Sequence, residues 1–126
     1  MRIFFDEDQG KGVAIALSEV GISTDHVGSK RRIRKGTRDE EWIPIAGERG
    51  WLVISGNKEI LTTETQRRLW IAHAVGGVFF TTNQIKAVDK LRLLLRKLAW
   101  LEAIDKDEAR PFAFSMTPRG YTRRVL

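Results

Sequence analysis

Three aspartates and one asparagine carry the chemistry that this chain can be read to perform. Asp6 and Asp8 follow the short apolar run Ile3-Phe4-Phe5, Asp39 opens the stretch Asp39-Glu40-Glu41-Trp42, and Asn57 follows Trp51-Leu52-Val53-Ile54-Ser55-Gly56. If the two apolar runs are parallel strands, their C-terminal ends share one edge, where ligands bind in open α/β sheets. Asp6, Asp8 and Asn57 would meet there, and Asp39 could project into the same place. Carboxylates that converge on one point raise each other's pKa unless a cation sits between them. A hard cation such as Mg²⁺ or Mn²⁺ takes a few carboxylates plus waters, and can activate water against a phosphodiester. In the simpler alternative, Asp6 and Asp8 cap a first helix and Asp39 complements the dipole of a second.

The charge of the chain suits a polyanionic partner. Formal net charge is +6, with a sequence pI near 10.1. Lys30, Arg31, Arg32, Arg34 and Lys35 concentrate positive charge just before Asp39, and Arg119, Arg123 and Arg124 form a basic end. The remainder is close to neutral, so the charge is patched. Lysines and arginines in such a patch neutralise phosphates in a salt-sensitive, sequence-independent way. A solvated loop or a receiver for an acidic protein segment would read the same.

Other chemistries are poorly supported. Cysteine is absent, which excludes disulfides and thiolate metal sites and fits a cytoplasmic setting. His26 and His73 lack a second histidine at ligand spacing and read as structural or surface residues. Gly10-Lys11-Gly12 is too short for a phosphate loop. No apolar run approaches the roughly 20 residues of a membrane span.

Strands and helices alternate along the chain. The apolar runs predict strands at 2–5, around Asp25-His26-Val27, at 51–55, at 78–81 and at 111–116. Helices are expected over 9–20, from Arg38 with a restart at Pro44, from Thr63 to about Val75, and as one long element over 83–104. Thr37 with Glu40, and Thr63 with Gln66, have capping-box spacing. The long helix is expected to turn Lys86, Lys90, Arg92 and Lys97 outward, while its apolar stripe with Trp100 serves the core or a homodimer face. This alternation implies right-handed crossovers and an α/β fold with a mostly parallel sheet of four to five strands.

Phe4-Phe5-Asp6-Glu7-Asp8-Gln9-Gly10-Lys11, then Asp39-Glu40-Glu41-Trp42-Ile43-Pro44, then Gly50-Trp51-Leu52-Val53-Ile54-Ser55-Gly56-Asn57-Lys58 resemble, in order and spacing, the blocks of a PIN-like domain. The compact VapC-like branch is the most similar, and the resemblance covers roughly residues 2–81. It implies a three-layer α/β/α sandwich, with residues 1–116 as a nuclease domain and 117–126 as a basic C-terminal tail. It also implies a Mg²⁺- or Mn²⁺-dependent ribonuclease, the toxin of a type II toxin–antitoxin pair, with RNA as substrate and a small antitoxin protein as partner.

Carried over residue by residue, the resemblance makes Asp6 the first metal-binding aspartate and Asp39, with Glu40 beside it, the acidic position of the second block. Asn57 stands where the family has a third aspartate, and the residues available after the fourth strand, Thr82 and Asn83, are neutral. Asp6, Asp39 and Asn57 are therefore the expected catalytic set, and Asp6, Asp8 and Asp39 the expected metal ligands. Lys30, Arg31, Arg32, Arg34 and Lys35 are expected to hold nucleic acid. An amide at 57 brings no charge, so an eroded, non-catalytic binding module is the alternative.

Overall fold

The computed structural model describes residues 1–28 and 33–126. Five strands run parallel: β1 (Ile3–Phe5), β2 (Thr24–His26), β3 (Leu52–Ser55), β4 (Gly76–Phe80) and β5 (Phe112–Met116). A sixth, β6 (Thr122–Arg124), pairs antiparallel with β5, and the order across the sheet is β2-β1-β3-β4-β5-β6. The expected α/β fold with a mostly parallel sheet is present, with one strand more than the sequence suggested. The extra strand comes from residues read as a basic tail. Its residues are all exposed and carry no apolar alternation, so pairing with β5 rather than burial makes it a strand.

The period-2 alternation of the strands divides the core between two faces. On one face Ile3, Phe5, Leu52, Ile54, Val78 and Phe80 pack against α1 (Lys11–Glu19), α5 (Ala87–Arg96) and α6 (Leu98–Asp107). On the other Phe4, Trp51, Val53 and Phe79 pack against α2 (Asp39–Arg49), α3 (Glu59–Thr62) and α4 (Glu64–Ala72). The three layers follow directly from β1, β3 and β4, which are buried throughout.

Several local expectations are corrected. The helix after the basic segment runs unbroken through Pro44 instead of restarting there. The missing proline N–H costs about 3 kcal/mol. Burial of Trp42, Ile43, Ile45 and Ala46 offsets that, since each large apolar side chain contributes about 1.5–3 kcal/mol. Gly50 ends this helix in the left-handed conformation, φ 64°, where glycine carries no Cβ penalty. Neither capping box forms. The N-cap of α2 is Arg38, without a side-chain bond, and Thr37 Oγ1 donates to the Arg34 carbonyl instead. Thr63 precedes α4 without capping it through its side chain. The single long helix is two, α5 and α6, meeting at Lys97. The break lets Leu93 and Leu94 reach the core from one helix and Leu101 and Ile104 from the next. Lys90, expected on the outer face, is buried. No helix among the described residues is long and apolar enough to cross a membrane.

Candidate functional site

Parallel pairing of β1 with β3 sets Phe5 against Ile54, so the residues that leave the two strands together are Asp6 and Ser55. The Asp6 N–H extends the ladder by donating to the Ile54 carbonyl at 3.0 Å. Its carbonyl accepts from the Gln9 N–H, also at 3.0 Å, closing a one-turn 3₁₀ segment over Glu7–Gln9. Asp6 is 6% exposed, and its Oδ2 accepts the Ser55 hydroxyl at 2.9 Å. Ser55 is fully buried, and its Oγ also accepts the Asn57 N–H at 3.0 Å. One hydroxyl therefore ties the first carboxylate to the loop leaving β3.

Asp8 lies on the 3₁₀ turn. Its Oδ1 accepts from Gln9 Nε2 at 2.9 Å, and its Oδ2 from the Gly56 N–H at 3.2 Å and from Asn83 Nδ2 at 3.5 Å. Gln9 also donates to Asn83 Oδ1 at 3.3 Å, so the loops after β1, β3 and β4 are stitched together here. A Cβ at Gly56 would collide with the Asn83 side chain and displace it from Gln9 and Asp8.

Asp39 is the first residue of α2, where the helix N-terminus favours negative charge. Trp42, one turn on, donates its indole N–H to Asp39 Oδ1 at 3.0 Å, and Asn57 Nδ2 donates to Oδ2 at 3.1 Å. Partial burial nevertheless raises the Asp39 pKa above the ordinary carboxylate range, and the charges of Glu40 and Asp8 raise it further, against the pull of the Trp42 and Asn57 hydrogen bonds. Asn57 is occupied at both ends of its amide. Its Oδ1 accepts the Glu59 N–H at 3.1 Å at the start of α3 while its NH₂ group holds Asp39.

Asp6, Asp8, Asp39, Gly56, Asn57 and Asn83 line one cleft of about 430 Å³ at the carboxyl edge of the sheet. The three aspartates and the asparagine singled out from the sequence are thus brought together. The capping alternative for Asp6 and Asp8 fails, because the N-cap of α1 is Gly10 with no side-chain bond. Glu40 faces Arg38 at 3.6 Å, and Glu59 is exposed. Of the basic cluster, Lys30, Arg31 and Arg32 lie outside the described residues. Arg34 and Lys35 are exposed, and Lys35 shares a second cleft with Asp6, Lys11 and His26. Ser55, Trp42 and Gln9 were missed in the sequence. Strand register offered a signal for Ser55, and i,i+3 spacing from Asp39 offered one for Trp42.

The donor set consists of carboxylate and amide oxygens only, which is the chemistry of a hard divalent cation. Burial is the chief cause of the raised Asp39 pKa, and such a cation would relieve the smaller part that the charges of Glu40 and Asp8 add. Among the described residues, however, no three His, Cys, Asp or Glu side chains stand close enough to hold a metal ion by themselves. The fit is therefore to an ion that keeps much of its water and takes few protein ligands, as Mg²⁺ commonly does.

The model of the PIN-like domain family matches residues 1–82, about two thirds of the chain, including Asp6, Asp8, Asp39, Gly56 and Asn57 of the cleft but not Asn83. No curated protein and no solved structure matches the chain. The chain belongs to the PIN-like domain family, and its fold is of nuclease type.

Proposed function

We propose that this PIN-like domain is a Mg²⁺- or Mn²⁺-dependent endoribonuclease of VapC-like type, working as the toxin of a toxin–antitoxin pair. The observation that carries the reading is the single cleft at the carboxyl edge lined by Asp6, Asp8 and Asp39. Asp6 and Asp39 would hold the ion, with Asp8 beside them. A divalent cation bound there would supply Lewis-acid activation of water and neutralise charge on the phosphate. Ser55 and Trp42 orient the two carboxylates, and Asn57 restrains Asp39 without adding charge. Lys30, Arg31, Arg32, Arg34 and Lys35 would receive RNA phosphates from the segment preceding Asp39, and an acidic segment of a small antitoxin protein could compete for them. A cytoplasmic setting and a homodimer complete the proposal.

The second reading, a non-catalytic nucleic-acid or antitoxin-binding module, is favoured by one feature. Asn57 stands at the third acidic position with both ends of its amide engaged. Cleavage of a single-stranded RNA in Mn²⁺ decides between them. On the leading reading the wild type cleaves, chelator stops it, and Asp6→Asn loses about 100-fold or more in rate while RNA affinity stays within about twofold. Cleavage unchanged in Asp6→Asn contradicts it; RNA binding with no cleavage by the wild type selects the binding module.

A further inference from the structure

Lys86, Arg92 and Arg96 are cations that neither the acidic cleft nor the segment before Asp39 accounts for. Lys86 is the N-cap of α5 and Arg96 its last residue, so the three stand along about 15 Å of helix. All three are exposed, yet they do not sit on an open face. They line a cleft of about 450 Å³ whose other wall is Pro118, in the turn between β5 and β6. That turn is pressed onto the helix. Arg96 Nη2 donates to the Arg119 carbonyl at 2.9 Å, and a Cβ at Gly120 would come to 3.0 Å from the same nitrogen.

The cleft sets these three positive charges against one negative, Asp89, which Arg92 meets at 3.3 Å. Each arginine is thus held by a neighbour that leaves most of its donor fork to a ligand, and a pre-placed fork loses less entropy on taking a phosphate. A protein segment would need apolar anchors. Here Leu93 is 3% exposed and Ile85 is partly buried, so few are on offer, and the lining suits a polyanion better than an acidic peptide. Position adds a second observation. Gln84 lines this cleft, and its chain neighbour Asn83, about 3.8 Å away, lines the acidic one. A strand that leaves the carboxylates on this side meets these cations next.

We propose that this cleft is a phosphate-binding track for single-stranded RNA, continuing from the acidic cleft, with Lys86, Arg92 and Arg96 as its binding residues. The inference rests on the nuclease reading and deepens it. Lys35 shares its cleft with His26 of β2, whereas this track lies beyond β4, so the carboxylates are flanked by cations on both sides. All three residues lie beyond residue 82, in the segment that the family match does not reach.

Binding of a single-stranded RNA of about 12 nucleotides to the full chain, in chelator and across a salt series, tests the track. Lys86→Gln, Arg92→Gln and Arg96→Gln together should weaken binding about tenfold or more. They should also cut the slope of log affinity against log salt by about 2, since each phosphate contact on a single strand contributes about 0.7. Because Arg96 also braces the turn, Lys86→Gln with Arg92→Gln is measured as well, with an expected slope change of about 1.4. Arg49→Gln, Arg68→Gln and Lys106→Gln remove the same charge from exposed positions elsewhere and should leave the slope unchanged. Equal losses in the two triple variants, an unchanged slope in the first, or no RNA binding by the wild type overturn the assignment. Binding of a polyglutamate peptide that depends on Lys86, Arg92 and Arg96, with the RNA slope unmoved, overturns it in favour of an acidic protein partner. Where the wild type cleaves, KM for the same strand should rise about tenfold in the first triple variant, and an unchanged KM contradicts continuity with the acidic cleft. A wild type that binds RNA without cleaving it counts against the nuclease reading alone, and the salt slope still decides the role of this cleft.

Discussion

Asn57 shows how one oxygen-to-nitrogen exchange changes a site. An amide there gives Asp39 a hydrogen-bond donor at 3.1 Å where a carboxylate would give it a neighbouring negative charge. The metal-free cleft is thereby made more stable and less attractive to a cation. Asn57→Asp should lower the stability of the metal-free protein by about 1 kcal/mol, since it exchanges a donor for a repelling charge. It should also tighten Mn²⁺ binding about tenfold by adding a ligand charge. Unfolding with and without Mn²⁺ measures both. An Asn57→Asp variant that is neither less stable without metal nor tighter with it would show that position 57 does not face the cation.

Asp39 provides a pH signature. Its pKa is raised in the folded protein, chiefly by burial, so the folded state takes up its proton at a higher pH than the unfolded chain does. Stability attributable to this group therefore rises as pH falls through the raised folded value toward 3.8, and the penalty for its charge is fully present above that window. In chelator, the unfolding free energy of the wild type should gain on that of Asp39→Asn as pH is lowered through this range. Parallel pH profiles would mean that Asp39 is not perturbed.

At the scale of elements, the first turn of α2 does two jobs. Asp39 and Trp42 lie on one face of the helix by i,i+3 spacing, and the Trp42 ring is fully buried 5.2 Å from Phe4 while its N–H reaches back to the carboxylate. The core thus fixes the rotamer of a site residue. Trp42→Phe keeps an aromatic ring there but removes the donor. It should weaken Mn²⁺ binding about tenfold, as loss of an orienting partner behind a metal ligand commonly does. Unchanged affinity in a folded Trp42→Phe protein would reduce the indole to a packing group.

The elements that position the cleft were readable because β1, β3 and β4 are short continuous apolar runs, and a parallel sheet buries such runs on both faces. What was not readable depends on tertiary context. The unbroken α2 requires knowing that the side chains around Pro44 are buried. The break at Lys97 requires knowing where the sheet lies beneath the helix. The burial of Lys90 runs against a pattern in which a lysine amid Lys86 and Arg92 marks the wet face. β6 has no apolar alternation of its own and exists through its pairing with β5. At the site, Asp6, Asp8, Asp39 and Asn57 were legible from strand ends and family blocks, whereas Ser55 as the partner of Asp6 emerges only from strand register.

For the molecule as a whole, one edge of one sheet gathers the acidic residues, and the basic residues Arg34 and Lys35 stand in the connection that leads to Asp39. Lys35 shares a cleft with Asp6, so on the nuclease reading a phosphate held by that lysine would lie beside the carboxylates. The part of the chain beyond residue 82 contributes α5 and α6, which complete one face of the sheet, and β5 and β6, which extend it. The most direct measurement is calorimetric titration of Mn²⁺ into the wild type and into Asp6→Asn. Saturable binding by the wild type that is lost in Asp6→Asn is the predicted result. No binding by the wild type, or equal binding by both proteins, would contradict a carboxylate metal site at the end of β1.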